Sequence, residues 1–395
     1  MKKILFSLLF GIGFCQGQNP LPALLQQADP RLQAIRQNEA AHELQIIYTQ
    51  ILRNKKGTPK FKTYRYGLSG AHYFYPASTV KLPLVLLTLE KIKALQAQGI
   101  HINKETPFEV YNPDTKELIM AQDSTQPKGW LTLSHQIKKL FLVSDNQAYN
   151  FLFDFLGQDY INATLKAKGY KGISLQHKFS ATLDTDLNMA FHFKENGATH
   201  YQKTSTPPHP KKSKKLLKGL QKGKGFIDKG KLVERPMDFS LKNRAALADL
   251  NEMLMAILFP KLMPTKRRFD LTKEDLNFVR YWMSRNTTEV DVPNYKNDPH
   301  YWDSYVKFFL YGDQKGAMDP TIKIYNKVGL AYGTLTDVAY IKNEQEGVDF
   351  FLAATLLVNK NDIFNDNQYE YDALGIPFLA ALGKAVYDFE LNRKN

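Results

Sequence analysis

Two rhythms of apolar and polar positions divide the chain. Residues 21–40 carry apolar positions at helical spacing, whereas residues 44–52 and 60–67 are rich in β-branched and aromatic side chains. The latter predict a pair of strands turning at Lys55-Lys56-Gly57. Helix-length apolar patterns then follow at 78–97, 131–142, 146–156, 241–258 and 272–283. Strand-like runs return only at 321–327, 334–342 and 348–358, and an amphipathic helix over 374–391 closes the chain. Strands from both ends flanking a helical middle predict an α+β fold. One sheet is built from the termini, about 41–70 and 320–395, and a helical lobe covers about 75–319. The cleft between the two lobes is the expected site.

Composition changes this picture little. With 43% hydrophobic and 23% charged residues, the chain of 395 residues is neither disordered nor fibrous and has enough length for a sizeable core. The first residues add an address: Lys2 and Lys3 precede an apolar run from Ile4 to Phe14, with small and polar residues around Gly17. This order predicts a secretory signal over 1–17, a mature chain of 18–395 and export to the periplasm. Cleavage there removes Cys15, the only cysteine, so no disulfide is expected. Lipidation of Cys15 is the alternative, against which stands the bulk of Phe14. No later stretch is apolar for long enough to span a bilayer.

The formal charge of +14 is concentrated in one place. Between 200 and 236 lie Lys203, Lys211, Lys212, Lys214, Lys215, Lys218, Lys222, Lys224, Lys229, Lys231 and Arg235, against Asp228 and Glu234. With Pro207, Pro208 and Pro210 alongside, the segment reads as an exposed basic insertion. Its lysines, Lys211 to Lys224 above all, suit an anionic envelope polymer. Nucleic acid is not expected as a partner of an exported chain.

Three short motifs carry the chemistry. In Tyr75-Pro76-Ala77-Ser78-Thr79-Val80-Lys81, an extended segment gives way to an apolar helix. Ser78 and Lys81, three apart, share a helix face, so the amine can reach the hydroxyl. Ser144-Asp145-Asn146 begins a second helix: the Ser144 hydroxyl can relay a proton, and the Asn146 amide can hold a substrate carbonyl. Lys327-Val328-Gly329 ends a strand, where Gly329 permits a close approach of substrate backbone and Lys327 can bind an anion or tune Ser144.

In this order the motifs resemble those of class A β-lactamases and their penicillin-binding relatives, which carry Ser-x-x-Lys, Ser-Asp-Asn and Lys-Thr-Gly. The resemblance covers essentially the whole mature chain and is weakest across the basic insertion. It implies a β-lactamase/transpeptidase-like fold with an antiparallel sheet, and a serine hydrolase with Ser78 as acylated nucleophile and Lys81 as its deprotonating or orienting partner. Ser144 becomes a proton shuttle, Asn146 a substrate ligand and Lys327 the completion of the site. Thr334 and Lys327 are the anchors left for the substrate carboxylate, and the oxyanion hole is formed by the amides of Ser78 and Leu330, after Gly329. The implied substrates are β-lactams or a peptidoglycan stem peptide.

Three departures from that pattern bear on substrate and turnover. Val328 stands where the family places a hydroxyl residue, and Leu335 where many members place an arginine, so two donors to the substrate carboxylate are missing. The deacylating glutamate of the family's Glu-x-x-x-Asn loop finds its best match in Asp184, with Asn188 in place of the asparagine. Asp184 is one methylene shorter than glutamate. The expected function is hydrolysis of β-lactams of the class A type through a Ser78 acyl-enzyme; the alternatives are cleavage of D-Ala-D-Ala peptides and a penicillin-acylated sensor that never turns over.

Other chemistries find no support. His72, His135, His177 and His192 have no metal-ligand spacing, and neither a metal nor another cofactor is expected. Gly67-Leu68-Ser69-Gly70-Ala71 lacks the final glycine of a nucleophile elbow.

Overall fold

The computed structural model describes residues 18–187, 189–195, 197–212 and 217–394. The expected signal, Cys15, Asn188, Lys214 and Lys215 lie outside the described residues.

The chain opens with α1 (Leu21–Leu24) and α2 (Pro30–Arg36), two short helices in place of the single one expected. Pro30 sits in the first turn of α2, and Asp29 caps it by accepting from the Arg31 amide, which explains the break. The expected strand pair is β1 (Gln45–Arg53) and β2 (Pro59–Tyr66), joined through Asn54-Lys55-Lys56-Gly57-Thr58. Ser78 lies in a 3-10 turn, Ala77–Val80, that leads into α3 (Lys81–Ala97). Helix α3 is buried on nearly every side from Lys81 to Leu89, as its unbroken apolar sequence requires.

The middle of the chain is less helical than its periodicity suggested. Between β3 (Phe108–Tyr111), β4 (Leu118–Met120), β5 (Ala190–Glu195) and β6 (Ala198–Thr204) runs a second antiparallel sheet, ordered β4-β3-β5-β6. Its strands are short, yet Phe191 and Phe193 alternate into the core. Around it lie α4 (Leu133–Leu142), α5 (Asn146–Leu156) and α6 (Gln158–Ala167).

The basic insertion is also structured. It contains β7 (Gln221–Lys222), β8 (Gly225–Asp228) and β9 (Lys231–Val233), and β10 (Met237–Asp238) then pairs with β7. The expectation of an exposed insertion therefore fails for part of it. Lys222 is buried and both carboxylate oxygens of Glu43 accept from its ammonium at 2.6 Å.

Helices α7 (Leu247–Leu258), α8 (Lys273–Ser284) and α9 (Phe308–Tyr311) return the chain to β11 (Ile322–Ala331), β12 (Thr334–Asn343) and β13 (Val348–Leu357). A two-residue strand, β14 (Ile363–Phe364), and the long α10 (Ile376–Lys394) finish the fold. The main sheet is antiparallel with the order β11-β12-β13-β1-β2, so strands from both ends of the chain share it. Its central strands β12 and β13 are buried on both faces. One face packs against α7, with α8 on β11, and the core cluster on that side extends to α3, α4 and α5 through residues such as Val85, Leu140, Leu254 and Phe351. The other meets the terminal helices through Leu24, Ile35, Leu335 and Leu382. Among the described residues no helix is long and apolar enough to cross a membrane.

Candidate active site

Strand β11 lies at the edge of the main sheet and packs directly on the turn that carries Ser78. Gly329 makes that contact possible. A Cβ at this position would fall 2.4 Å from the Pro76 carbonyl oxygen and 3.0 Å from the Thr79 amide nitrogen. The space expected for a substrate backbone at Gly329 is thus filled by the turn that bears Ser78. What Gly329 provides is registry between the strand and Ser78.

The three motifs meet around one hydroxyl. Ser144 Oγ accepts a hydrogen bond from Lys327 Nζ at 2.8 Å and lies 3.2 Å from Lys81 Nζ. Lys81 also donates to the Ser144 carbonyl and to Asn146 Oδ1, the latter at 2.7 Å. Among the described residues its hydrogen bonds run to Ser144 and Asn146 and not to Ser78, the partner expected from the three-residue spacing. Burial pushes the Lys81 amine well below the usual lysine range, and the neighbouring Lys327 charge acts in the same direction. Burial likewise lowers Lys327, to about 7, with Lys307 reinforcing and Asp337 opposing the shift. A neutral amine is therefore accessible near neutral pH beside a hydroxyl that can hand on a proton.

Backbone strain gathers at the same place. Ala77, Ser144 and Tyr332 all have positive φ, at 44°, 56° and 51°. None is glycine, so each costs on the order of 1 kcal/mol and is held by its surroundings.

Helix α5 holds the opposite rim through one face. Asp145 caps it, accepting from the Ala148 amide at 2.7 Å. Asn146 Nδ2 donates to the Ser180 carbonyl at 2.9 Å, and Asn150 clips the loop by donating to the Phe179 carbonyl and accepting from the Phe179 amide. The Asn146 carboxamide, expected to bind substrate, thus has its oxygen committed to Lys81 and one amide hydrogen to the loop. The other hydrogen is left for a ligand.

Ser78, Asn146 and Leu330 line one cleft of about 450 Å³, together with Tyr75, Phe179, Ser180, Tyr332, Asn365, Asn367, Tyr369 and Tyr371. Among the described residues that line it there is no aspartate or glutamate. Asp184, expected to support deacylation, is exposed, its Oδ1 accepts from the Asp186 amide in a local turn, and it is not among the residues lining the cleft. Val328 and Leu335 differ from expectation as well. Both are buried in the cluster shared with α10, and Leu335 packs on Gly375. Because strand side chains alternate, Lys327 faces Ser144, buried and behind the residues that line the cleft, and Val328 faces the terminal helices. Thr334, offset by one from Leu335, is buried and is not among the residues lining the cleft.

A family model described as the beta-lactamase enzyme family matches residues 28–231, slightly more than half of the 395. The chain belongs to the beta-lactamase enzyme family. In this member the matched stretch contains Ser78, Lys81 and Ser144 but stops before Lys327, which the fold brings to the same point. A comparison with curated proteins gave no match. Among solved structures, one titled "Structure of PBP-A" is 14% identical with a TM-score of 0.49, over 95% of this chain and 97% of that one. A β-lactamase from Desulfarculus baarsii is 15% identical with a TM-score of 0.47, over 91% and 95%. The β-lactamase of Streptomyces albus G is 13% identical with a TM-score of 0.45, over 89% and 96%.

The aromatic and carboxamide residues of the cleft were invisible to motif reading. Phe179 and Ser180 come from an irregular loop, and Asn365 to Tyr371 from the connection between β14 and α10. The one signal in the sequence was the crowding of Asn and Tyr over 359–371.

Proposed function

We propose that this member of the family is a serine acyl-transfer enzyme whose working reaction is cleavage of a peptide amide of the D-Ala-D-Ala type, with β-lactams acylating the same serine. The observation that carries this reading is the Ser144 hydroxyl between the lysines Lys81 and Lys327, next to Asn146 and to a cleft, lined by Ser78 and Asn146, whose described lining residues bear no carboxylate. Ser78 Oγ attacks the amide carbonyl as its proton passes to the neutral Lys81 amine. The amide C–N bond breaks, and the proton returns through Ser144 to the leaving nitrogen. Water then attacks the ester, Lys81 accepts its proton, and the acid leaves as that proton goes back to Ser78 Oγ.

The two substrate classes diverge at the second half. A peptide's amine diffuses away and opens a path for water, whereas the nitrogen of an opened β-lactam stays tethered and blocks it. With no carboxylate to activate water, the β-lactam adduct persists. Rapid β-lactam hydrolysis of the class A kind is the second reading, favoured by family membership, and it needs a water-activating group, whereas Asp184 is not among the residues lining the cleft. Export, expected from residues 1–17, would bring the enzyme to a peptide-containing envelope.

The test is intact mass after incubation with a fluorescent penicillin. A single adduct that persists for many minutes in the wild type and is absent in Ser78→Ala is expected. No adduct refutes the assignment of Ser78, and loss of the adduct within seconds refutes the peptidase reading.

A further inference from the structure

The basic insertion reaches the cleft without placing a lysine in it. The wall facing Ser78 is the segment Asn365 to Tyr371, whose Asn365, Asn367, Tyr369 and Tyr371 side chains line the cavity. Asn365 and Asn367 both have φ of 59°, a left-handed conformation that asparagine tolerates and that folds the segment back on itself. The fold-back is tied at its ends. The Tyr369 hydroxyl accepts from the Asn365 amide at 2.7 Å, and the Tyr371 hydroxyl accepts from the Gly333 amide at 2.7 Å.

What holds this wall over the serine is the insertion. Strand β14, just before the wall, pairs in parallel with β8 of the insertion, Ile363 opposite Gly225 and Phe364 opposite Phe226. Asn365 Nδ2 donates to the Ile227 carbonyl at 2.8 Å, and the Lys224 amide to the Asp362 carbonyl at 3.0 Å. The insertion is itself fixed to the sheet lobe by the buried Lys222–Glu43 pair and by reciprocal backbone bonds of 2.8 Å, from the Lys218 amide to Ala71 and from the Tyr73 amide to Lys218. Phe364 packs edge-on to Phe239 at 5.5 Å, and Phe239 packs on Tyr332 at 5.5 Å, which returns the chain of contacts to the cleft. The insertion therefore reads as a buttress for one side of the substrate cleft.

The chemistry of that side selects a ligand. Two carboxamides and two phenols offer paired donors, acceptors and flat apolar faces, and none carries charge at neutral pH. Such groups complement the amides of an extended peptidyl chain. A cleft of about 450 Å³ also has more room than the reacting amide alone fills. Resting on the peptidase reading above, we propose that Asn365, Asn367, Tyr369 and Tyr371 form a subsite for the neutral, peptidyl part of the acyl donor, and that the β8–β9 hairpin positions it. Binding energy gathered there is applied to orienting the scissile amide at Ser78.

The experiment compares acyl donors ending in D-Ala-D-Ala that differ only in length, an acetylated dipeptide and an acetylated pentapeptide with neutral added residues. The wild type is set beside two variants: one with Phe226 to Val233 replaced by a short Gly-Ser linker, and the point variant Gly223→Val. The point variant pushes a side chain against the Asp362 carbonyl and Phe364, both 2.6 Å from a Cβ at that position. Penicillin labelling of Ser78 is followed in all three proteins. The wild type is expected to favour the pentapeptide by at least tenfold in kcat/KM. Both variants should lose that preference, through a higher KM for the long donor, while penicillin labelling stays within threefold. No length preference in the wild type, a preference that survives in both variants, or a parallel fall in labelling and in both donors overturns the subsite. Absence of penicillin labelling in the wild type fails the Ser78 reading itself and is a separate result.

Discussion

Replacing Gly329 by alanine perturbs catalysis from a residue that donates no chemical group. The added Cβ would lie 2.4 Å from the Pro76 carbonyl oxygen, about 1 Å inside ordinary van der Waals contact, and 3.0 Å from both Thr79 N and Thr79 Cγ2. Two of these neighbours are backbone atoms of the turn that bears Ser78, so no flexible side chain can swing aside. Because φ at Gly329 is not positive, the cost is one of contact and not of conformation. Relief requires strand and turn to part by several tenths of an ångström to 1 Å. Overpacking of this kind costs about 1 to 3 kcal/mol of stability, and misplacement of a nucleophile by 1 Å costs on the order of 100-fold in rate, or about 2.7 kcal/mol of barrier. The assay is the second-order rate of Ser78 acylation by a fluorescent penicillin, read beside the melting temperature. The expected result for Gly329→Ala is a folded protein acylated about 100-fold more slowly. A variant that melts like the wild type and acylates within threefold of it would refute the argument that this contact sets the position of Ser78.

Three further outcomes follow from the site. Leu335→Arg, which the family pattern alone recommends as a gain of carboxylate binding, should instead place a guanidinium in the apolar layer against Gly375 and α10, costing several kcal/mol; a large drop in melting temperature checks this. Asp184→Asn should leave the lifetime of the penicilloyl adduct within twofold of wild type, because that carboxylate is exposed and bonded to its own turn; a tenfold longer lifetime would restore its role in deacylation. The Lys327 ammonium, with burial lowering it to about 7, is mostly charged at pH 6 and mostly neutral at pH 8. KM for a carboxylate-bearing substrate should therefore rise across that range, and Lys327→Arg, which stays charged, should flatten the rise; an equally steep rise in the variant would sink the assignment.

Part of this protein was legible in its residues. The unbroken apolar run of α3, the β-rich stretches of β11, β12 and β13 and the periodicity of α5 and α10 follow from local pattern, because burial selects apolar side chains at the period of each element. The three motifs were equally local, and their order was enough to expect that Ser78, Ser144 and Lys327 share a site. Pattern failed where an element is short or owes its form to distant partners. The sheet β4-β3-β5-β6 is built from strands of three to seven residues, too short for periodicity to register. The insertion looked solvated because its composition is basic, yet Glu43, far away in sequence, buries Lys222.

Direction was the property that tertiary structure alone decided. Aligning motifs puts Val328 and Leu335 beside the substrate, but the pleat of β11 and β12 turns both toward α10 while Lys327 faces Ser144. Likewise Asp184 lies close in sequence to the Phe179-Ser180 rim, yet it bonds to its own turn and is not among the residues lining the cleft. A sequence specifies which chemical groups are present and at what local spacing. Which face each presents, and what stands opposite it, depends on how segments hundreds of residues apart are brought together, as Ser78 and the wall from Asn365 to Tyr371 are across one cleft.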